Sequence, residues 1–164
     1  LLHIALGNLE HPDVALRIVV VEDRASEVAA ACRHPVLIAV NPNPELGPAA
    51  SVRAGLGLLP SDVDGFLVLP VDCALVRPED VAALIDAMRR EEDPAIRIWI
   101  PSWQMRRGHP PLFAADLAAE IVALAPGEPL HRVVRADPGR LSTRPAAQPS
   151  RLEARREDQT ARLR

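Results

Sequence analysis

The sequence predicts an α/β domain, three-layer α/β/α, with a mainly parallel sheet. Three observations lead there. Short runs of β-branched and aliphatic residues recur along the chain, stretches with helical spacing separate them, and the seventeen prolines fall almost entirely where such segments start or stop. Strands that alternate with helices across short connections imply a sheet covered on both faces.

Taken in order, Leu1 to Leu9 has helical spacing, closed by Gly7-Asn8 or the His11-Pro12 turn, and Ile18 to Val21 is a β-branched run of the kind buried in parallel sheets. Arg24 to Arg33 reads as a helix and Val36 to Val40 as a second strand. The turn-rich Asn41-Pro42-Asn43-Pro44-Glu45-Leu46-Gly47 follows, then a helix from Pro48 to Leu58. Gly65 to Leu69 is the third strand. Pro78 opens a helix that runs to about Arg90: its missing N–H costs nothing in the first turn, and Glu79 and Asp80 complement the helix dipole. Ile96 to Ile100 is the fourth strand, helices follow near Ala114 to Leu124 and Pro129 to Arg135, and Arg140 to Thr143 forms a last edge strand. The domain is expected to span residues 1–145. Residues 146–164, rich in Pro, Ala and Arg, are expected to be a disordered tail or a weakly docked helix.

Composition removes several function classes. The chain of 164 residues is the size of one domain, and no apolar run approaches the ~20 residues needed to span a bilayer. A net charge of −3 argues against a nucleic-acid-binding surface, although free nucleotides could meet a local positive site. All 19 basic residues are Arg. Cys32 and Cys73 are too few for a disulfide framework or zinc site, which makes a reducing cytoplasm the default, and Cys73 reads as a small buried apolar residue.

Ligands of open α/β sheets bind beyond the carboxyl ends of the strands, which selects three segments. Asp72, just past the third strand, is placed to hold a divalent cation beside a phosphate, or else to cap its turn. Gly47 to Leu56 starts a helix after a strand-end loop. Its free amides, the Ser51 hydroxyl and Arg53 could meet a nucleotide, or the segment could be a well-capped crossover helix. Arg106, Arg107, Gly108, His109 and Pro110 form a positively charged turn that could face a substrate or simply be solvated.

Together, Asn41-Pro42 with Gly47 to Leu56, Leu69-Pro70-Val71-Asp72-Cys73-Ala74-Leu75-Val76, and Arg107-Gly108-His109-Pro110 before Leu112-Phe113 resemble the molybdenum-cofactor cytidylyltransferase and guanylyltransferase family. The resemblance implies a nucleotide-diphosphosugar transferase type of fold and transfer of a nucleotidyl group from CTP or GTP to a phosphorylated acceptor such as molybdopterin, with Mg2+. It assigns Asp72 to the metal and catalysis, Gly47, Ser51 and Arg53 to the nucleotide, and Arg107, Gly108, His109 and Pro110 to the acceptor. Family members open with a strand and a Gly-rich loop carrying Arg and Lys; this chain is expected to begin in the helix after that loop and has no Lys. The late Asp-rich motif, expected at Leu152 to Asp158, reads Leu-Glu-Ala-Arg-Arg-Glu-Asp, and Ala74 stands where a proline is usual. The competing reading is a catalytically inactive relative that serves as a nucleotide-binding or interaction module.

Overall fold

Two sheets, and the helices shared between them, make up the architecture. The computed structural model describes residues 1–73 and 75–146. Ala74, most of the expected tail and the Leu152 to Asp158 segment lie outside the described residues.

After helix α1 (Leu2–Asn8) come strand β1 (Ile18–Val21), helix α2 (Ala25–Ala31) and strand β2 (Leu37–Val40). β1 and β2 pair in parallel, Ile18 opposite Leu37 and Val21 opposite Val40. The carbonyls of Arg17 and Val21 accept from the N–H groups of Leu37 and Asn41, so alternate residues of β1 face β2. The main-chain groups of Ile18 and Val20 therefore face the other way, along an edge with no strand beside it among the described residues.

Helix α3 (Pro48–Leu56) leads to strand β3 (Gly65–Leu67), helix α4 (Pro78–Arg89), strand β4 (Ile98–Trp103), strand β5 (Arg106–Arg107), strand β6 (Leu112–Ala114), helix α5 (Leu117–Val122), helix α6 (His131–Ala136) and strand β7 (Leu141–Pro145). The second, five-stranded sheet has the order β3-β6-β4-β5, with β7 also on β4. Here the expectation of a mainly parallel sheet is corrected. β6 runs antiparallel to both β3 and β4, β5 is antiparallel to β4, and only β7 joins β4 in parallel. The strands ending near Leu69 and Ile100 are thus not neighbours: β6 separates them. β6 escapes a pattern-based reading because Leu112, Phe113 and Ala114 are all buried, so three residues show no alternation.

Alternation is clear once the strands are placed. Phe66, Ile98, Ile100 and Phe113 face one side, where Leu117, Ile121 and Val133 of α5 and α6 cover them and Val52 and Leu56 of α3 join. The Phe66 and Phe113 rings, opposite each other in the register, stack with centroids 5.3 Å apart. Leu67, Trp99, Leu112 and Ala114 face the other side, against Leu84, Ala87 and Met88 of α4. α4 starts as its sequence suggests, Pro78 in the first turn and the Asp80 carboxylate accepting from the Arg77 N–H at 3.2 Å.

α3 is common to both sheets. Val52 and Leu56 enter the larger core, while a Cβ on Gly55 would lie only 3.2 Å from Val20 Cγ2. Glycine in a helix costs roughly 1 kcal/mol relative to alanine, and here its bare surface lets α3 approach β1 closely.

The last strand is anchored by Arg140. Its guanidinium donates to both carboxylate oxygens of Glu120, at 2.7 and 2.8 Å, and to the Val133 carbonyl, joining α5, α6 and the start of β7. β7 begins one residue after the expected Arg140 start and extends to Pro145, and Ala146 N–H donates to Ser102 O at 2.8 Å. The Arg140 hydrogen bonds hold the Glu120 carboxyl below its ordinary 4.5, against the opposing effect of burial. A depressed carboxyl stabilises the fold above its unfolded pKa and loses that contribution as pH falls through the folded value. Glu120→Gln is accordingly expected to lower the melting temperature at neutral pH. The gap between variant and unaltered chain should close as pH drops below 4.5. Thermal melts across pH check this, and a gap independent of pH would contradict it.

Candidate functional site

The three segments chosen from the sequence all sit on strand-end loops. β3 and β4 both run antiparallel to β6, so they are parallel to each other and their carboxyl ends share one edge of the sheet. The ladder continues past β3, where Val68 N–H donates to the Pro111 carbonyl at 3.1 Å. The chain leaving β3 for Asp72 thus continues from the same end of the ladder at which Pro110 and His109 lead into β6. Asp72 is exposed in the turn, with the buried Cys73 thiol 3.7 Å from its Oδ1. Cys73 is thus the buried small residue its sequence context suggests.

β4 and β5 form a hairpin whose tip, Gln104 and Met105, has φ of 47° and 63°, the left-handed backbone that two-residue hairpin turns require. This turn carries Arg106 and Arg107 exposed to solvent. Gly108 N–H donates to Pro101 O at 2.7 Å and pins the returning strand, His109 is half-buried, and Pro110 is buried after a cis peptide bond. Register therefore brings Asp72 and the Arg107–Pro110 segment to the same sheet edge.

Gly47 and Ser51 lie at the carboxyl end of β2. Gly47, with φ of 83°, ends the 3₁₀ turn Pro44–Leu46 and is the N-cap of α3, a backbone that favours glycine. Asn41, fully buried, stood out in the sequence as part of a turn-rich run and of the Asn41-Pro42 stretch that carries the family resemblance. Its Oδ1 accepts from Asn43 N–H and its Nδ2 donates to Ser51 Oγ, both at 3.0 Å, so that it ties the strand end to the helix. Arg53, by contrast, points across the fold: Nη1 donates to the Leu124 carbonyl at 2.7 Å, joining α3 to the end of α5.

Among the described residues no cluster of three or more His, Cys, Asp or Glu side chains could hold a metal by itself. Asp72 offers an exposed carboxylate, which suits magnesium, since that ion commonly takes one or two carboxylates and completes its shell with water and substrate phosphates. An open cleft lined by Pro129, His131, Arg132, Arg135 and Ala136 involves none of these residues.

Comparison with known proteins fits this arrangement. Residues 1–143 match the MobA-like NTP transferase domain. The chain belongs to that family. Among solved structures it is similar to the Mycobacterium sp. strain JC1 homologue of Mycobacterium tuberculosis Rv0371c, with TM-score 0.74 and 16% identity over 100% of this chain and 84% of that one. It is also similar to Mycobacterium tuberculosis Rv0371c in complex with manganese, with TM-score 0.67 and 22% identity over 99% of this chain and 82% of that one. CMP:2-keto-3-deoxy-manno-octonic acid synthetase complexed with CTP matches with TM-score 0.63 and 14% identity over 99% of this chain and 86% of that one. At these identities the structures show a shared fold. No curated protein matches the chain. Among the described residues no helix is long and apolar enough to cross a membrane.

The Arg53 contact generates a stability prediction for this MobA-like domain. Arg53→Ala removes a charged donor from a partly buried carbonyl, a change worth about 1.5–3 kcal/mol. Denaturant unfolding is expected to show that loss, and an unchanged midpoint would contradict the anchoring role.

Proposed function

We propose that the chain forms the nucleotide-binding body of a nucleotidyltransferase. CTP or GTP lies at the start of α3 against Gly47 and Ser51, Mg2+ sits beside Asp72, and a phosphorylated acceptor such as molybdopterin lies over Arg107, Gly108, His109 and Pro110. The observation that carries the reading is the register from Val68–Pro111 onward, which leads Asp72 and the Arg107–Pro110 turn to one edge. The passage from β2 through α3 to β3 supports it. Ligands of α/β folds lie beyond the carboxyl ends of the strands, and both the loop from β2 to the start of α3 and the loop from β3 to Asp72 leave such an end.

In the reaction an acceptor phosphate oxygen attacks the α-phosphorus of the triphosphate, the new P–O bond forms, and the bond to the bridging oxygen breaks as pyrophosphate leaves. The cation, when bound, supplies charge neutralisation on the phosphates. The chain's own groups orient the partners. Backbone amides at the α3 start and the Ser51 hydroxyl donate to the nucleotide, while Arg107 opposes acceptor charge. One solved relative is a complex with manganese and another a complex with CTP, which supports a divalent cation and a nucleotide as ligands. Arg53, engaged with Leu124, holds α3 in place in this scheme.

Full catalysis needs more cationic and amide groups than the proposed residues supply, because each lost preorganised donor costs ~10²–10³ in rate. Among the described residues the main-chain groups of Ile18 and Val20 on β1 and of Gly65 and Leu67 on β3 face edges with no paired strand, and in this reading an added strand with a Gly-rich loop supplies the further donors.

Residues 1–164 alone are expected to bind nucleotide weakly in a magnesium-dependent way, to lose that binding with Asp72→Ala, and to release no measurable pyrophosphate from CTP or GTP with molybdopterin. A pyrophosphate-release assay alongside the binding measurement checks this. Robust turnover abolished by Asp72→Ala would refute the incompetence of the chain while supporting the site. Turnover untouched by that substitution would overturn both.

A further inference from the structure

Asn41 is the one buried polar side chain among the described residues, at 1% exposed. A buried amide is unfavourable unless its donors and acceptor are bonded, so the arrangement around it is specified. The Asn43 backbone N–H can only donate, which fixes Oδ1 towards it and turns Nδ2 to Ser51 Oγ. Ser51 Oγ is therefore an acceptor in this contact. A hydroxyl has a single hydrogen, and with Asn41 on one lone pair that hydrogen points elsewhere.

We propose that Asn41 is a positioning residue for nucleotide binding: it commits Ser51 Oγ as an acceptor and so presents the Ser51 O–H to an oxygen of the nucleotide at the start of α3. The proposal rests on the nucleotide reading above and assigns Ser51 its polarity. Asn41 itself touches no ligand. Its contribution passes through one hydrogen bond that crosses ten residues of sequence.

The test is titration of the chain with magnesium-CTP and magnesium-GTP, followed at the Ser51 amide resonance, in a double-mutant cycle. Ser51→Ala is expected to weaken binding roughly tenfold, the loss of one hydrogen bond to a charged group. Ser51→Thr, which keeps the hydroxyl, is expected to retain affinity. Asn41→Asp still accepts from Asn43 but takes the Ser51 hydrogen instead of donating, so it should weaken binding at least as much as Ser51→Ala. Asn41→Ser is neutral and too short to reach Ser51, and serves if the buried charge of Asn41→Asp prevents folding. Adding Ser51→Ala to either Asn41 variant should cost nothing further. Losses that multiply in the double variants, or an Asn41→Ser chain that binds like the unaltered one, overturn the positioning role alone. An unaltered chain that binds neither nucleotide overturns the nucleotide reading, and this role with it.

Discussion

The structure depends on α3 being packed against two sheets at once. One side of the helix meets β1 so closely that residue 55 has no room for more than glycine without displacing Val20. Another side puts Val52 and Leu56 into the core built on Phe66, Ile98, Ile100 and Phe113. Arg53 fastens the same helix to the Leu124 carbonyl. With no hydrogen-bonded strand joining β1 to β3 among the described residues, this packing is what fixes the end of β2 relative to the five-stranded sheet, and with it the relative positions of Ser51 and Asp72. Aliphatic contacts set the helix and a few directed hydrogen bonds at its start set the geometry of the β2–α3 loop, a division expected where non-directional burial supplies stability and polar bonds supply geometry.

Much of this was legible in the sequence because it is local. β-branched runs place β1 and β2, proline and acidic residues in the first turn place α4, and the tight loop around Gly47 follows from its position between a strand and Pro48. Pairing was not legible, since register is decided by residues far apart. The insertion of β6 between β3 and β4 turns an expected parallel sheet into a mixed one, and the helix expected from Ala114 begins at Leu117 because Ala114 is still strand. The same limit applies at the site. Asp72 and the Arg107–Pro110 turn could be chosen as strand-end residues, but their convergence on one edge needs the antiparallel ladder that continues to Val68 and Pro111. Arg53 looked like a phosphate ligand because its partner, Leu124, is 71 residues away. Asn41 gave no signal beyond turn chemistry and its place in the Asn41-Pro42 stretch of the resemblance, and its burial and its bond to Ser51 emerge only when strand and helix are packed together.

Family membership and geometry support one another without being the same claim. The MobA-like NTP transferase domain match covers residues 1–143 and shows the family, while the solved relatives, all under 25% identical here, show the fold. The arrangement of a helix start, an exposed strand-end carboxylate and a basic turn is a property of this chain. Under the proposed reading it serves phosphoryl chemistry, which asks the protein chiefly for positioning and charge compensation.

The central claim, that one cation-dependent nucleotide site joins the α3 start to Asp72, is tested most directly by paramagnetic broadening of backbone amide resonances by Mn2+ with CTP or GTP present. The account predicts selective broadening at Val71, Asp72 and Cys73, at Gly47 through Ser51, and at Gly108 and His109. Broadening centred on the Pro129–Ala136 cleft, or at Asp72 with no effect on Gly47 through Ser51, would contradict it.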